Sequence, residues 1–567
     1  MSPKPSVEVG LSLILRKTNS MKKIKYILGS SLVALAMMSC GESTTTTSKT
    51  SNIYDQTSVV MNKAELVDKI KGGWAGQTIG VIYGAPTEFK FQGTTMQSYH
   101  PIPWNDTIAL YWWNKKPGLF DDIYNDLTFV ETFEKVGLQA PVEVLAKQFA
   151  DADYHLAHAN QAGRYNIRQG LMPPASGHWL NNPHADDLDF QIEADFIGLM
   201  TPGMLVSTHD IANKVGHIMN SGDGFYGGVF VSSLYSLAFV SNDVPAIIDQ
   251  ALKYIPKEST FNQCVQDVID WHKQYPNDWE ATWFELHKKW NNDVGCPKGV
   301  FMSFNIDAKM NSAYIALAML YGKGDFDKSM EIATRCGQDS DCNPSSVGGV
   351  LGVMYGYNKI PEKWMKPLRA IEDKDFLGTS VSLNKAYDYS LKHALELVNL
   401  NGGKVEGDQV HIPLAEPKVL PLEQNFVNTH PIARNKIDES ITKDFSFNFT
   451  GNGFIVYGNL INVSQMDKGY MYRVTNRFGS EIFALAEPND TYVAQLEVYI
   501  DGKKDQTVNM PMMNPSRRLE PAWKYQLPEG AHKVDLKWIN PNPKYEIRVN
   551  DIVIYSEKGY EGKNLNQ

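Results

Sequence analysis

Two series of glycines spaced four residues apart constrain this chain more than any other feature: Gly72, Gly76, Gly80 and Gly84, then Gly348, Gly352 and Gly356. A spacing of four keeps residues on one face of an α-helix. Each glycine inside a helix costs ~1 kcal/mol relative to alanine, so a whole stripe needs a compensating contact. A face without Cβ atoms lets a second helix, or a ligand, approach the backbone more closely than side chains allow. Gly84-Ala85-Pro86 ends any helix near Tyr83, because proline disfavours helical geometry in the residue before it. The alternative is that the first series runs partly through a loop.

Both series fall in a stretch, Lys63 to about Leu400, where apolar residues recur at helical spacing, as in Phe129-Val130-Phe133 and Ala313-Tyr314-Ala316-Leu317-Leu320. Residues 61–400 are therefore expected to be an all-α domain. A polar, proline-containing connection follows over 401–435. Beyond it the period changes to two, as in Phe445-Phe447-Phe449, Leu496-Val498-Ile500 and Val534-Leu536-Trp538, with Asp501-Gly502 and Glu529-Gly530 as turns. That alternation predicts a β-sandwich over 436–560. The expected fold class is multidomain α plus β, and 567 residues at 43% hydrophobic content suit it.

Near the start, Met21-Lys22-Lys23-Ile24-Lys25-Tyr26, the apolar run Ile27 to Met38 and Ser39-Cys40 look like a bacterial lipoprotein signal. The run is too short to span a bilayer as a stable helix. Cys40 is the expected lipidation site, with 1–20 an upstream extension, 1–40 including the signal, and 41–60 a Ser/Thr-rich tether. The expected location is the bacterial envelope, facing the periplasm or the cell surface, with a lipid anchor as the sole membrane attachment. The net charge is −10, and residues 1–39 are net basic, so the remainder is more acidic still. Such a body is poorly suited to electrostatic nucleic-acid binding. Export would permit disulfides, with Cys264–Cys296 or Cys336–Cys342 as possible pairs, but buried thiols are an equal alternative.

The residues that carry chemistry are acidic. Asp339 and Asp341 lie one residue apart in Cys336-Gly337-Gln338-Asp339-Ser340-Asp341-Cys342-Asn343-Pro344. Asn343 is a good N-cap and Pro344 suits a first helical position, which would leave both carboxylates on the irregular segment before a helix. There they could hold Mg²⁺ or Mn²⁺, or simply cap and solvate a loop. Asp121-Asp122 precedes the helical pattern Leu127 to Val136 with the same two readings, and Glu88 follows the first glycine series.

Three segments together resemble the ADP-ribosylglycohydrolase family. Gly80-Val81-Ile82-Tyr83-Gly84-Ala85-Pro86-Thr87-Glu88-Phe89 is similar to its opening motif, Phe120-Asp121-Asp122-Ile123 to its Thr-Asp-Asp-Thr motif, and Gly337-Gln338-Asp339-Ser340-Asp341-Cys342-Asn343 to its Gly-Gly-Asp-Thr-Asp-Thr-Asn motif. They occur in family order. The resemblance implies an orthogonal helical bundle holding two Mg²⁺ ions, with Asp121, Asp122, Asp339 and Asp341 as ligands and Glu88 in catalysis. Val81, Phe120 and Cys342 depart from the pattern, and a cysteine at 342 is a poor substitute for the family's threonine oxygen.

Polar residues between the second and third motifs, including His184, Asp186, Asp187, Glu193 and Asp195, resemble a branch of the family. His217 and Asp223-Gly224-Phe225-Tyr226 fall where the family has a loop near its site. Asp223, Tyr226 and Trp179 are the candidate substrate contacts, the aromatic pair by stacking, although core packing would suit either ring. The C-terminal region resembles the jelly-roll modules of secreted glycan-active enzymes, as a sugar binder or as a packing module.

The expected function is a metal-dependent glycohydrolase acting outside the cytoplasm on an N- or O-glycosidic bond of a small glycoside, an ADP-ribosyl conjugate or a glycan. The alternative is a non-catalytic surface lipoprotein that captures carbohydrate.

Overall fold

The computed structural model describes residues 53–292, 295–463, 471–476, 479–484, 490–512 and 516–558. The expected lipoprotein signal and lipidation site, Cys40, lie outside the described residues. Among those described, seventeen α-helices run from Lys63 to Leu400, and no helix is long and apolar enough to cross a membrane.

The glycine stripes pack against each other. The helix Lys63–Gly84 contains all four glycines of the first series, and Cys342–Tyr355 carries Gly348 and Gly352. A Cβ on Gly72 would lie 2.1 Å from the Gly352 carbonyl oxygen, one on Gly76 2.0 Å from that of Gly348, and one on Gly80 2.1 Å from that of Pro344. Those distances are far inside van der Waals contact, so only glycine permits this approach. Proline 86 does stop the helix at Gly84, but after the last glycine has been used: a Cβ there would lie 2.0 Å from the Ser340 oxygen and 2.4 Å from the Asp341 Cα. The partner of the stripe is thus a helix, and its last contact is with the Asp-Ser-Asp segment.

Residues 401–435, expected as a connection, carry two whole strands and the start of a third, His430–Ile441, so the sandwich begins before residue 436. Lys404–Glu406 (β2) and Gln409–Pro413 (β3) form a three-stranded antiparallel sheet with Ser58–Asn62 (β1), in the order β1-β3-β2. Val410 and Ile412 are buried there against the helical core. The segment's remaining polar groups also bind: Glu423 and Asn425 hydrogen-bond Gly222 and Ser221 at the start of the buried helix Gly222–Ala238.

Eight of the C-terminal strands form two antiparallel four-stranded sheets, and Met471–Asn476 pairs with Gly479–Ala484 in a separate two-stranded sheet. One has Lys503–Pro511 (β4), Val493–Ile500 (β5), Gly530–Trp538 (β6) and Phe445–Gly451 (β7) in that order across the sheet. The other has Ala522–Lys524 (β8), Gly453–Asn462 (β9), Tyr545–Ser556 (β10) and His430–Ile441 (β11). Between the sheets pack Leu496, Val498, Val534 and Leu536 from the first and Phe454, Val456, Ile547 and Val549 from the second. Asp501 and Gly502, both at positive φ, turn β5 into β4. The alternation is clean in the first sheet and lost in β9, where Phe454, Ile455, Val456 and Tyr457 are all buried. The reason is a second contact: Ile455, Tyr457, Trp523, Tyr525, Val553 and Tyr555 on the outer face pack against Trp179, Ala185, Val300 and Phe426. A strand covered on both sides needs no polar face.

Candidate metal centre

The three acidic motifs meet. Asp121 and Asp122 open the helix Asp121–Val136, which starts earlier than its apolar period indicates, and Asp122 is buried at its first turn. Carboxylates are favoured there by the helix dipole. Gly337 and Gln338 both take positive φ, and Gln338 N–H donates to the Phe91 carbonyl at 3.0 Å, which reverses the chain just before Asp339. The following helix begins at Cys342 with Asp341 as its cap residue, so Asn343 is not the N-cap the sequence indicated. The Asn343 N–H bonds the Asp339 carbonyl at 3.1 Å, and its amide side chain donates to Asn311 at 2.9 Å. That buried partner draws Asn343 into the first turn.

Ligand atoms of Asp339, Asp341 and Cys342 lie within 4.8 Å of one another. Cys342 Sγ contacts Asp122 Oδ2 at 3.3 Å and so joins the second motif to the third. Glu88 completes the group: its Oε2 accepts from Lys116 Nζ at 2.5 Å, and its side chain keeps 15% of its exposure. Thr87 Oγ1 and Ser340 Oγ are 2.9 Å apart, which ties the Glu88 segment to the Asp-Ser-Asp loop. Solvent reaches the group from the side of Glu88 and the part-exposed Asp121.

Electrostatically the centre carries excess negative charge. Burial, then repulsion from Asp341, pushes Glu88 up to about 8 although Lys116 opposes it. Asp121, Asp122 and Asp339 are driven well above the ordinary carboxylate range by burial and by one another, and Asp341 is raised as well. A divalent cation would reverse these shifts, since its charge favours every ionised carboxylate around it. The residues fit such an ion: the donors are hard oxygens, and Asp341 Oδ1 is buried without a hydrogen-bond partner. The departures from the family pattern are now located. Phe120 is buried against Trp113 and Phe376, Val81 is buried inside its helix, and Cys342 holds a soft sulfur between Asp122 and the Asp339–Asp341 pair.

A deeper tier of acids extends the centre. Asp126, one helical turn after Asp122, accepts from Gln77 Nε2 at 3.1 Å and from the Phe196 N–H at 3.2 Å. Asp195 and Glu193 stand beside it, both buried. The i, i+4 spacing of Asp122 and Asp126 was the signal that could have found this tier. Nothing local in the sequence marks Lys116 or Asn311.

The three candidate substrate contacts lie elsewhere. Trp179 is 4% exposed and packs between Phe426 and Tyr525, with ring centroids 5.3 and 5.6 Å away. Tyr226 is fully buried, its hydroxyl donating to the Pro421 carbonyl at 2.7 Å and accepting from the Glu423 N–H at 2.6 Å. Asp223 accepts from Thr260 Oγ1 at 2.5 Å and from the Phe261 N–H at 3.1 Å, at the start of the helix Thr260–Gln274. All three serve packing or capping, because the expected loop is the first turn of a buried helix, Gly222–Ala238. His217 pairs with Glu423 at 2.9 Å. The four cysteines 264, 296, 336 and 342 are free and buried, so neither expected disulfide forms.

Residues 62–390 match the family described as ADP-ribosylglycohydrolase. A search of curated proteins returns no match. A solved structure described as an ADP-ribosylglycohydrolase-related protein complex aligns with 58% of this chain and 98% of its own, at 14% identity and a TM-score of 0.40.

Proposed function

The chain belongs to the ADP-ribosylglycohydrolase family, and we propose that it is a metal-dependent hydrolase of an N- or O-glycosidic bond, with Asp121, Asp122, Asp339 and Asp341 holding Mg²⁺ or Mn²⁺. The observation that carries this reading is the convergence of Glu88, Asp122, Asp339 and Asp341 from three distant motifs around one group. When bound, such ions polarise sugar hydroxyls and lower the pKa of water.

The chain's own residues supply the proton chemistry. Lys116 fixes Glu88 through Oε2, leaving Oε1 to exchange a proton with water or with the leaving group. A carboxyl group within reach of water and of the leaving group is suited to that exchange. A carboxylate beside an anomeric carbon also stabilises the positive charge that develops as the bond breaks.

The signal-like segment ending at Cys40 supports a lipid-anchored location outside the cytoplasm. A glycoside, glycan or ribosyl conjugate available there is then the expected substrate. A hydrolysis screen of ADP-ribosyl conjugates beside glycosides and glycans, with added Mg²⁺ or Mn²⁺, tests the function. Turnover lost in Glu88→Gln with metal binding intact supports the assigned role, and unchanged turnover removes Glu88 from the mechanism. Saturable glycan binding without turnover would favour the capture reading.

A further inference from the structure

We propose that His158, His184, Asp187 and Cys296 form a second, separate metal site that takes a zinc-type ion in a closed, structural coordination. The four ligand atoms lie within 4.8 Å of one another. Asp187 Oδ2 is 3.1 Å from His158 Nδ1, 3.2 Å from His184 Nδ1 and 3.4 Å from Cys296 Sγ, and His184 Nδ1 is 3.3 Å from that sulfur. Donors bound tetrahedrally at ~2.0–2.3 Å stand ~3.3–3.7 Å apart along the edges, close to these four separations.

The proton arrangement points the same way. His184 Nε2 is 2.9 Å from Glu520 Oε1 and donates to it, so that with a cation bound the ring would present Nδ1 to the quartet as a neutral ligand. His158 Nδ1 is buried, 3.1 Å from Asp187 Oδ2. Asp187 and Cys296 are fully buried and His184 nearly so. One thiolate and one carboxylate neutralise a divalent ion, which removes the penalty of burying net charge. On binding, the Cys296 thiol loses its proton to solvent and the sulfur–zinc bond replaces the S–H bond.

The site also explains how the sandwich is attached. Glu520, which orients His184, belongs to the C-terminal part, one residue before Pro521 and the strand β8. Arg434 of β11 donates to the carbonyls of Pro297, Lys298 and Val300, directly after Cys296, at 3.0–3.1 Å. Both contacts tie metal-bearing loops of the helical part to the second sheet. The donor set differs from the carboxylate centre in hardness: nitrogen and sulfur select zinc, whereas carboxylates select magnesium or manganese.

Elemental analysis of the full chain, purified from zinc-replete medium with a tag that binds no metal, tests the proposal. About one zinc per chain is expected. It should persist in Asp339→Ala and be absent from Cys296→Ser. Glu520→Gln keeps all four ligands and should weaken zinc about 10–100-fold in competition with a chromophoric chelator. Cobalt(II) loaded into Cys342→Thr, which keeps the quartet and removes the sulfur beside the carboxylates, should show a sulfur-to-cobalt charge-transfer band that reports the Cys296 thiolate. A folded, unsubstituted chain that lacks zinc and takes up no cobalt would overturn the proposal. So would zinc retained in full by Cys296→Ser, in which case His184 is an imidazolium held between Asp187 and Glu520.

Discussion

The carboxylate centre and the His158–His184–Asp187–Cys296 quartet both bury polar ligands from distant stretches of chain, but they are assembled by opposite means. The first is positioned by backbone: Gly80 and Gly84 press the Glu88 segment onto the loop of Asp339 and Asp341, and its carboxyl groups crowd one another and stay partly open to water. The second is positioned by side chains reaching across the junction with the sandwich, and its donors are closed off and held by Glu520. An open, hard-oxygen site can exchange its ion and admit a substrate, whereas a closed nitrogen and sulfur site can only hold.

The largest expected effect separates the two assemblies. Gly84→Ala drives a methyl into the Ser340 and Asp341 backbone, and should destabilise the chain by ~3 kcal/mol or more while displacing Asp341. Thermal melting and Mg²⁺ binding should both suffer, with zinc content unchanged in the fraction that folds. Next, Asp339→Ala should lower turnover by on the order of 10²–10³-fold, since a bound divalent ion contributes several kcal/mol to such a transition state. Steady-state rates with and without Mg²⁺ measure it, and an equal loss on removing the zinc quartet would erase the distinction.

A smaller change probes Cys342, the soft atom in the hard site. Cys342→Thr replaces sulfur by oxygen beside Asp122 and Asp339, and should tighten Mg²⁺ by roughly tenfold, about 1.4 kcal/mol, while weakening inhibition by Cd²⁺. Calorimetric titration reads both. The smallest effect concerns the deep tier. Burial pushes the Asp195 carboxyl, ordinarily near 3.8, up to about 7. The folded chain therefore keeps a proton that the unfolded chain has lost between those values. Stability falls as pH rises through that window and stays lower above it. Asp195→Asn should remove that residue's share of the dependence and add ~1–3 kcal/mol at pH 8, read from urea melts at pH 5 and pH 8.

Much of the carboxylate centre was legible because its parts are contiguous motifs: Asp121-Asp122, Asp339-Ser340-Asp341 and Glu88 each announce themselves within a few residues. The glycine stripes likewise advertised a close approach and left open only what approached. The quartet was hidden. Its ligands span 158 to 296 without a compact zinc spacing, and Cys296 read as a possible disulfide partner. Trp179 and Tyr226 misled for a related reason: an aromatic in a polar stretch suggests a ligand platform, whereas here the stretch is covered by the sandwich and by residues 421–426. Sequence period identified the sandwich but not that its second sheet would be covered on both faces.

The central claim is that the converged carboxylates bind a divalent cation. Mn²⁺ titration of the chelator-treated chain, followed by electron paramagnetic resonance, tests it most directly. Saturable binding that disappears in Asp341→Asn and persists in Cys296→Ser is the predicted result. Absent binding, or binding indifferent to Asp341→Asn in a folded chain, would contradict it.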